Sequence, residues 1–456
     1  MQLKNLSFSF ELKFMKRLEI SLYPEEMPSE WYNIIPHLPE PLPPPKDPEE
    51  GPSRIEMLPR IFDKELLKQE NSDQAWIKIP EEVKELYLRA GRPRPLFRAV
   101  GLEKALKLPK EVKIYYKSEF YSPTGSHKVN TALAQVYFAK KDGYERVVTE
   151  TGAGQWGSAL AYASSLLGMK CTIYWVRAAH DLKPERKILM ESFNAEVVPS
   201  PSKRTQTGKE ILKKNPDHPG SLGIAISEAI EDVLSSEKSV YCLGSVLNHV
   251  LLHQTIIGLE TKKQFEKIGE DPDVMIGCLG GGSNFGGFIL PFVKDVIDKK
   301  KNIKFLAAQS FSAPNLVKGE YRYDFGDHAE KTPLLKMYTL GHKYVGKPIL
   351  AEGLRYHGAA PIISLLRKLG YISAIAYPED EKLIFEAAKL FVSSEGFLPA
   401  PESCYAIRAA IDEALKAKEE GIKETIAINI SGHGFLDMKF YEKVSSVSGY
   451  TRIASI

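Results

Sequence analysis

Several stretches of this chain carry residue types able to do chemistry. In SPTGSHKVN (residues 122–130), Lys128 stands where a helical pattern begins. A cation near a helix N-terminus is electrostatically disfavoured, which lowers an amine's pKa and suits a lysine that condenses with a carbonyl. In CLGGGSNFGG (278–287), Gly280, Gly281 and Gly282 follow an apolar run and precede Ser283 and Asn284. Backbone N–H groups in such a loop converge on an anion, and the dipole of the next helix adds to the attraction. No Gly-Lys-Ser/Thr follows, so this is not a Walker loop; it suits a monophosphate. A tight strand-to-helix turn is the plainer reading, but three successive glycines cost much backbone entropy for a turn alone. An aldehyde-reactive lysine beside a monophosphate loop points to pyridoxal phosphate.

ETGAGQWGSA (150–159) spells G-x-G-x-x-G with Gly152, Gly154 and Gly157, the dinucleotide fingerprint, and Arg177 ends the next strand where an NADP enzyme could place a cation. Three features argue against a nucleotide. Glu150 would face a pyrophosphate with like charge, the phosphate loop lies elsewhere, and this is not the first βαβ unit. The alternative is that the N–H groups of 151–156 bind a small carboxylate while Glu150 handles protons. Finally, INISGHGFLD (428–437) puts Ser431 directly after an apolar run. A neutral hydroxyl facing a pyridine nitrogen leaves it unprotonated; a helix-capping serine is the plain alternative.

The elements that must position these residues follow from periodicity. VNTALAQVYFAKKDG reads as a helix ended by Gly143, RVVTE as a short buried strand, and 157–167 as a helix. Then come the strand KCTIYWV, a helix over LKPERKILMESFN and the strand AEVVPSP. Later strands are SVYCLGS, DVMIGCL, KFLAAQS, ISAIAYP and ETIAINI, with helices near 254–267, after Gly286, and twice across 379–421. Short β-rich runs alternating with helices mean parallel sheets covered on both faces, with ligands beyond the strands' carboxyl ends. The fold class is α/β, with two three-layer domains of parallel-rich twisted sheet. The division expected is an extension and Pro-rich arm over 1–60, an α/β domain over 61–250 and a second over 251–456. Segment 94–126 is a candidate for the other domain, and 145–230 for a mobile lid.

At 456 residues the chain is long enough for two domains. A net charge of +3 is too balanced to imply nucleic acid or an acidic membrane surface. No apolar stretch approaches the ~20 residues of a membrane span. Cys171, Cys242, Cys278 and Cys404 lie far apart without C-x-x-C spacing, which reads as reduced core thiols of a cytoplasmic protein. No metal-ligand set is read. The first residues, MQLKNLSFSFELKFMKRLEI, read as a strand or frayed terminus, with Met15 a candidate start. PHLPEPLPPPKDPEEGP (36–52) is too proline-rich for helix or central strand. It forms an extended arm, either a linker or an assembly element.

Taken together, GSHKVN, ETGAGQWG, GGGSNFGG, EGFLPAPES (395–403) and SGHG resemble, in order and separation, the tryptophan synthase beta chain family of fold-type II pyridoxal-phosphate enzymes. The resemblance covers nearly the whole chain after residue ~60 and points to the family's second branch, with a longer N-terminal arm. It implies that Lys128 is the Schiff-base lysine, with His127 at the cofactor phosphate and Asn130 beside them. It further implies that Gly280, Gly281, Gly282, Ser283 and Asn284 cradle the phosphate, that Ser431 faces the pyridine nitrogen and that Glu395 lies near the ring. Thr151, Gly152, Ala153, Gly154, Gln155 and Trp156 would hold the amino acid, and Glu150 would be the catalytic carboxylate. The implied reaction is β-replacement, making L-tryptophan from indole and L-serine through an aminoacrylate. A homodimer, an alpha-chain partner and a monovalent cation come with the resemblance.

Two departures matter. Trp156 stands where the better-known branch has histidine, and AEGLRYHG (351–358) offers Arg355 where that branch has aspartate. An arginine there suits an anionic leaving group, so O-phospho-L-serine is an alternative donor. The rival readings are a serine/threonine dehydratase or threonine synthase, and a non-catalytic NADP-binding protein.

Overall fold

Hydrogen bonding between β-rich runs sorts the strands of the computed structural model, which describes residues 18–447, into two principal sheets. A seven-stranded sheet runs, in spatial order, Glu19–Ile20, Leu96–Arg98, Val112–Ser118, Glu424–Ile430, Val274–Cys278, Lys304–Ser310 and Ile372–Tyr377. Its last five strands are mutually parallel, and the first two add antiparallel at one edge. A four-stranded, wholly parallel sheet runs Glu196–Ser200, Lys170–Val176, Arg146–Thr151 and Ser239–Tyr241. Parallel strands need crossovers, and helices supply them on the sheet faces. Both sheets bury near-continuous Val, Ile, Ala and aromatic cores. The four cysteines are free and buried, and among the described residues no helix is long and apolar enough to cross a membrane.

Most expected elements are present, with boundary changes that have local causes. The helix expected after Gly286 starts at Ser283, because Gly282 takes φ +117° and caps it. That shift brings Ser283 and Asn284 into the helix's first turn. The helix read over 182–194 is two, Arg177–Leu182 and Pro184–Ser192, since Pro184 cannot continue the first. The helix near 254–267 is Ile256–Ile268, preceded by Asn248–Gln254. A hairpin of Glu320–Phe325 and Leu334–Thr339 was not legible in the sequence. The Pro-rich arm lies against the body: Lys46 exchanges backbone hydrogen bonds with Leu334 at 2.9 and 2.8 Å. The expectations for residues 1–17, including Met15, lie outside the described residues.

Candidate active site

The loops after five parallel strands of the two sheets line one cavity of about 230 Å³. Strand Val112–Ser118 leads to His127 and Lys128, Arg146–Thr151 ends in Glu150, and Val274–Cys278 leads to Gly280–Asn284. Glu424–Ile430 is followed by Ser431, and Ser239–Tyr241 by Leu243 and Gly244. Their convergence is what strand polarity requires of such sheets.

Lys128 is half-buried at the cavity wall and occupies the cap position before helix Val129–Lys141. Its Nζ donates to the Gly244 carbonyl at 2.8 Å. Burial pulls the ammonium down to about 8, against the attraction of Glu150 and Glu402. About a tenth of the amine is therefore neutral at pH 7, far more than for an ordinary lysine, as a carbonyl-reactive lysine requires. Beside it, His127 accepts or donates at Nε2 with Ser283 Oγ, 3.2 Å away, while Nδ1 lies 3.3 Å from the Ser431 carbonyl. Burial holds its ring neutral, down to about 3.

The glycines of the 280–284 loop are there for space. A Cβ on Gly280 would lie 2.4 Å from the Gly353 carbonyl oxygen, and one on Gly281 would lie 2.4 Å from Ser245 Oγ. Asn284 Nδ2 donates to the Cys278 carbonyl at 3.1 Å, and its Oδ1 accepts from Asn429 at 2.7 Å. The loop's backbone is thereby fixed at the helix start. Ser431 Oγ lies 2.8 Å from Ser403 Oγ, a neutral hydroxyl pair with no carboxylate between. An amine, a glycine cradle at a helix N-terminus and a neutral hydroxyl opposite fit pyridoxal phosphate. Gly281→Ala tests the cradle: overpacking against Ser245 costs ~1–3 kcal/mol, so the melting temperature should fall by a few degrees at most and cofactor retention in dialysis about tenfold or more.

Glu150 is buried beside the amine. Tyr241 donates its hydroxyl to the carboxylate, and burial pushes the carboxyl up to about 7 despite that bond and the nearby Lys128. Trp156 buries its ring against Gly244 and donates Nε1 to Thr149 Oγ1 at 2.6 Å. Gly154, at φ +89°, starts helix Gln155–Leu167, and a Cβ there would meet Trp175 at 2.8 Å. In that first turn the Gly157 N–H donates to Thr151 Oγ1 at 3.2 Å, and the turn begins beside Thr151, Gly152, Ala153 and Gln155, all at the cavity. The G-x-G-x-x-G spacing thus serves a helix start and close packing: a Cβ on Gly157 would lie 2.7 Å from Met190 Sδ.

Three expected residues do not line the cavity: Gly154, which serves the helix start, and two others. Glu395 ends helix Lys382–Glu395 and accepts from the Leu102 N–H at 2.7 Å, away from the cavity. The carboxylate that does line the cavity is Glu402, in the same EGFLPAPES stretch but in the first turn of the next helix. It accepts from Gly353 N–H at 2.9 Å and Gln155 Nε2 at 2.8 Å. Asn130 faces away from the cavity: its amide bonds Arg92, Glu119 and Gln254 at 2.9, 3.1 and 2.9 Å. Helical geometry is the reason, since two residues after Lys128 the side chain points to another face. Arg355 does line the cavity, with Nη2 donating to the Gly346 carbonyl at 2.7 Å. Tyr241, which carried no sequence signal, is the partner of Glu150.

A family model described as pyridoxal-phosphate dependent enzyme matches residues 87–432. Tryptophan synthase beta chain 2 of Methanothermobacter thermautotrophicus is 58% identical over 423 residues, 93% of this chain and 97% of the relative. Tryptophan synthase beta chain of Pyrococcus horikoshii is 59% identical over 418 residues, 91% of this chain and 90% of the relative. Among solved structures, O-acetyl serine sulfhydrylase isoform 3 of Entamoeba histolytica aligns with a TM-score of 0.54 at 18% identity. The alignment covers 81% of this chain and 94% of that one, and shows the fold. With the cradle, the amine and the buried carboxylate in one cavity, the chain belongs to the tryptophan synthase beta chain family of pyridoxal-phosphate-dependent enzymes.

Proposed function

We infer that this protein joins indole to a serine-derived three-carbon unit to make L-tryptophan. The observation that carries the reading is the pairing, in one cavity, of Lys128 with Glu150, an amine and a carboxyl brought by burial to about 8 and about 7. Pyridoxal phosphate, when bound, supplies an electron sink for bonds at an amino acid's Cα. Lys128 would hold it by the ε-amine, with Gly280–Asn284 and His127 at its phosphate and Ser431 at its ring nitrogen. The Lys128 amine would move the Cα proton. N–H groups of 152–155 orient the substrate carboxylate. Glu150 gives a proton to the departing β-substituent and takes the indole N–H proton as carbon 3 attacks. A dehydratase or threonine synthase has no use for the apolar wall that Leu222, Ile226 and Ile230 give the cavity. Measuring indole consumption against pyruvate release separates them, and pyruvate without tryptophan would overturn the reading.

Residues 145–230 would act as a lid that excludes water, the seven-stranded sheet forming the fixed part. Supporting this, Lys183 and Arg186 reach across to Asp437 at 2.8 and 2.7 Å, all buried. A homodimer that docks an alpha chain would be the assembled form.

The donor turns on Arg355. A guanidinium at the β-substituent favours a phosphate leaving group by a charge-assisted hydrogen bond, worth ~1.5–3 kcal/mol or about ten- to hundredfold. Arg355→Asp should then cut kcat/KM for O-phosphoserine by that factor and leave serine steady or improved. Glu352 acts on the Arg355 charge, which favours a second reading in which Arg355 serves lid closure. Equal losses for both donors would establish that one and retire the phosphate donor.

A further inference from the structure

Among the described residues the proposed phosphate cradle has no cation of its own. Gly280–Asn284 offer backbone, hydroxyl and amide donors, and burial keeps His127 neutral. Among the described residues that line the cavity, the only lysine and arginine are Lys128, committed to the carbonyl, and Arg355. A phosphate monoester carries about −1.5 to −2 charges near neutral pH, and burying charge without compensation is costly.

Behind the cradle lies a cluster of five ionised side chains without solvent exposure. Arg92 pairs with Glu119 at 2.7 Å and with Glu260 at 2.8 Å, Arg94 pairs with Glu119, and Lys117 pairs with Glu260 at 2.7 Å. Arg92, Arg94 and Lys117 outnumber Glu119 and Glu260, leaving one positive charge in excess. The cluster abuts the cradle through Asn130. That amide accepts from Arg92 and donates to Glu119, while its backbone N–H donates to the His127 carbonyl at 3.1 Å. The same amide donates to Gln254 Oε1. Gln254 packs on Gly287, early in the helix that the cradle opens: a Cβ on Gly287 would lie 2.4 Å from Gln254 Cβ. The field of the cluster reaches the site, since both Glu119 and Arg94 act on the His127 ring. A network serving only to join elements gains nothing from a surplus charge, and a surplus buried charge needs a partner.

We propose that this surplus is the counter-charge of the cofactor's phosphate, acting from behind a neutral cradle. The proposal rests on reading residues 280–284 as that cradle. Arg92, Arg94, Lys117, Glu119 and Glu260 are then positioning residues that never touch the ligand.

Equilibrium dialysis of the holoenzyme and its variants, with pyridoxal phosphate and with pyridoxal, tests it. Lys117→Met removes the surplus and should weaken retention of pyridoxal phosphate about tenfold; Glu260→Gln doubles it and should tighten retention by a similar factor. Pyridoxal, lacking the phosphate, should respond to neither. The 31P resonance of the bound cofactor should shift in opposite directions in the two variants. Packing damage weakens binding in both, so two changes of the same sign, or equal changes for pyridoxal, would overturn the proposal. If Lys117→Met does not fold, Glu260→Gln decides by its sign alone. Wild-type protein that held pyridoxal as tightly as its phosphate would instead overturn the cradle reading itself.

Discussion

Lys128→Ala should abolish turnover, a loss on the order of 10⁶-fold, the scale seen when an enzyme loses its covalent nucleophile. The cradle is separate from the amine: Gly280–Asn284 belong to the loop after Val274–Cys278, Lys128 to the turn after Val112–Ser118. The variant should therefore still bind pyridoxal phosphate, but without a covalent link. Borohydride reduction followed by mass spectrometry should fix the cofactor to the wild-type chain and leave the variant unlabelled. The melting temperature should hold or rise, because a cation whose burial is unfavourable has been removed. A Lys128→Ala protein that is labelled and active would end the assignment.

Glu150→Ala should keep the cofactor and lower tryptophan formation by about 10²–10⁴-fold, the usual cost of losing a general acid–base group. The carboxyl, raised to about 7 by burial, can both give and take a proton near neutral pH. If its ionised form takes the indole proton, kcat/KM in the wild type falls as the pH drops below about 7, and that limb is absent from the variant. The stability effect has a definite sign. The folded pKa lies above the unfolded value, so the native state binds more protons between them and loses stability as pH rises through that range. Glu150→Gln should therefore melt higher than wild type at pH 8, where the wild type buries a charge. Synthesis within a few-fold of wild type would make Glu150 a structural residue only.

Residues whose role depends on local backbone could be read directly. Gly280–Gly282 and Gly154 stand where chain geometry leaves no room for a side chain or demands a positive φ, and their signals are short, contiguous and tied to a strand end. Lys128 and Ser431 were legible for the same reason, each directly bordering an element that the apolar pattern marks. The parallel α/β architecture followed from the alternation of short β-rich runs with helices.

Partners brought from afar could not be read. Glu395 and Glu402 lie seven residues apart in one motif-bearing stretch; which of them meets the cavity depends on where one helix ends and the next begins. Asn130 lies two residues from Lys128 in the chain, yet its face of the helix turns it to Arg92 and Glu119. Tyr241 meets Glu150 because Ser239–Tyr241 pairs with Arg146–Thr151 in parallel register, with Val148 opposite Tyr241. A sequence by itself determines which backbone turns and helix starts are affordable, since those are settled within a few residues. Which buried carboxylate faces an amine, and which cations lie behind an anion's cradle, is decided by sheet register and helix facing across more than a hundred residues, where only the tertiary structure brings the charges within reach of one another.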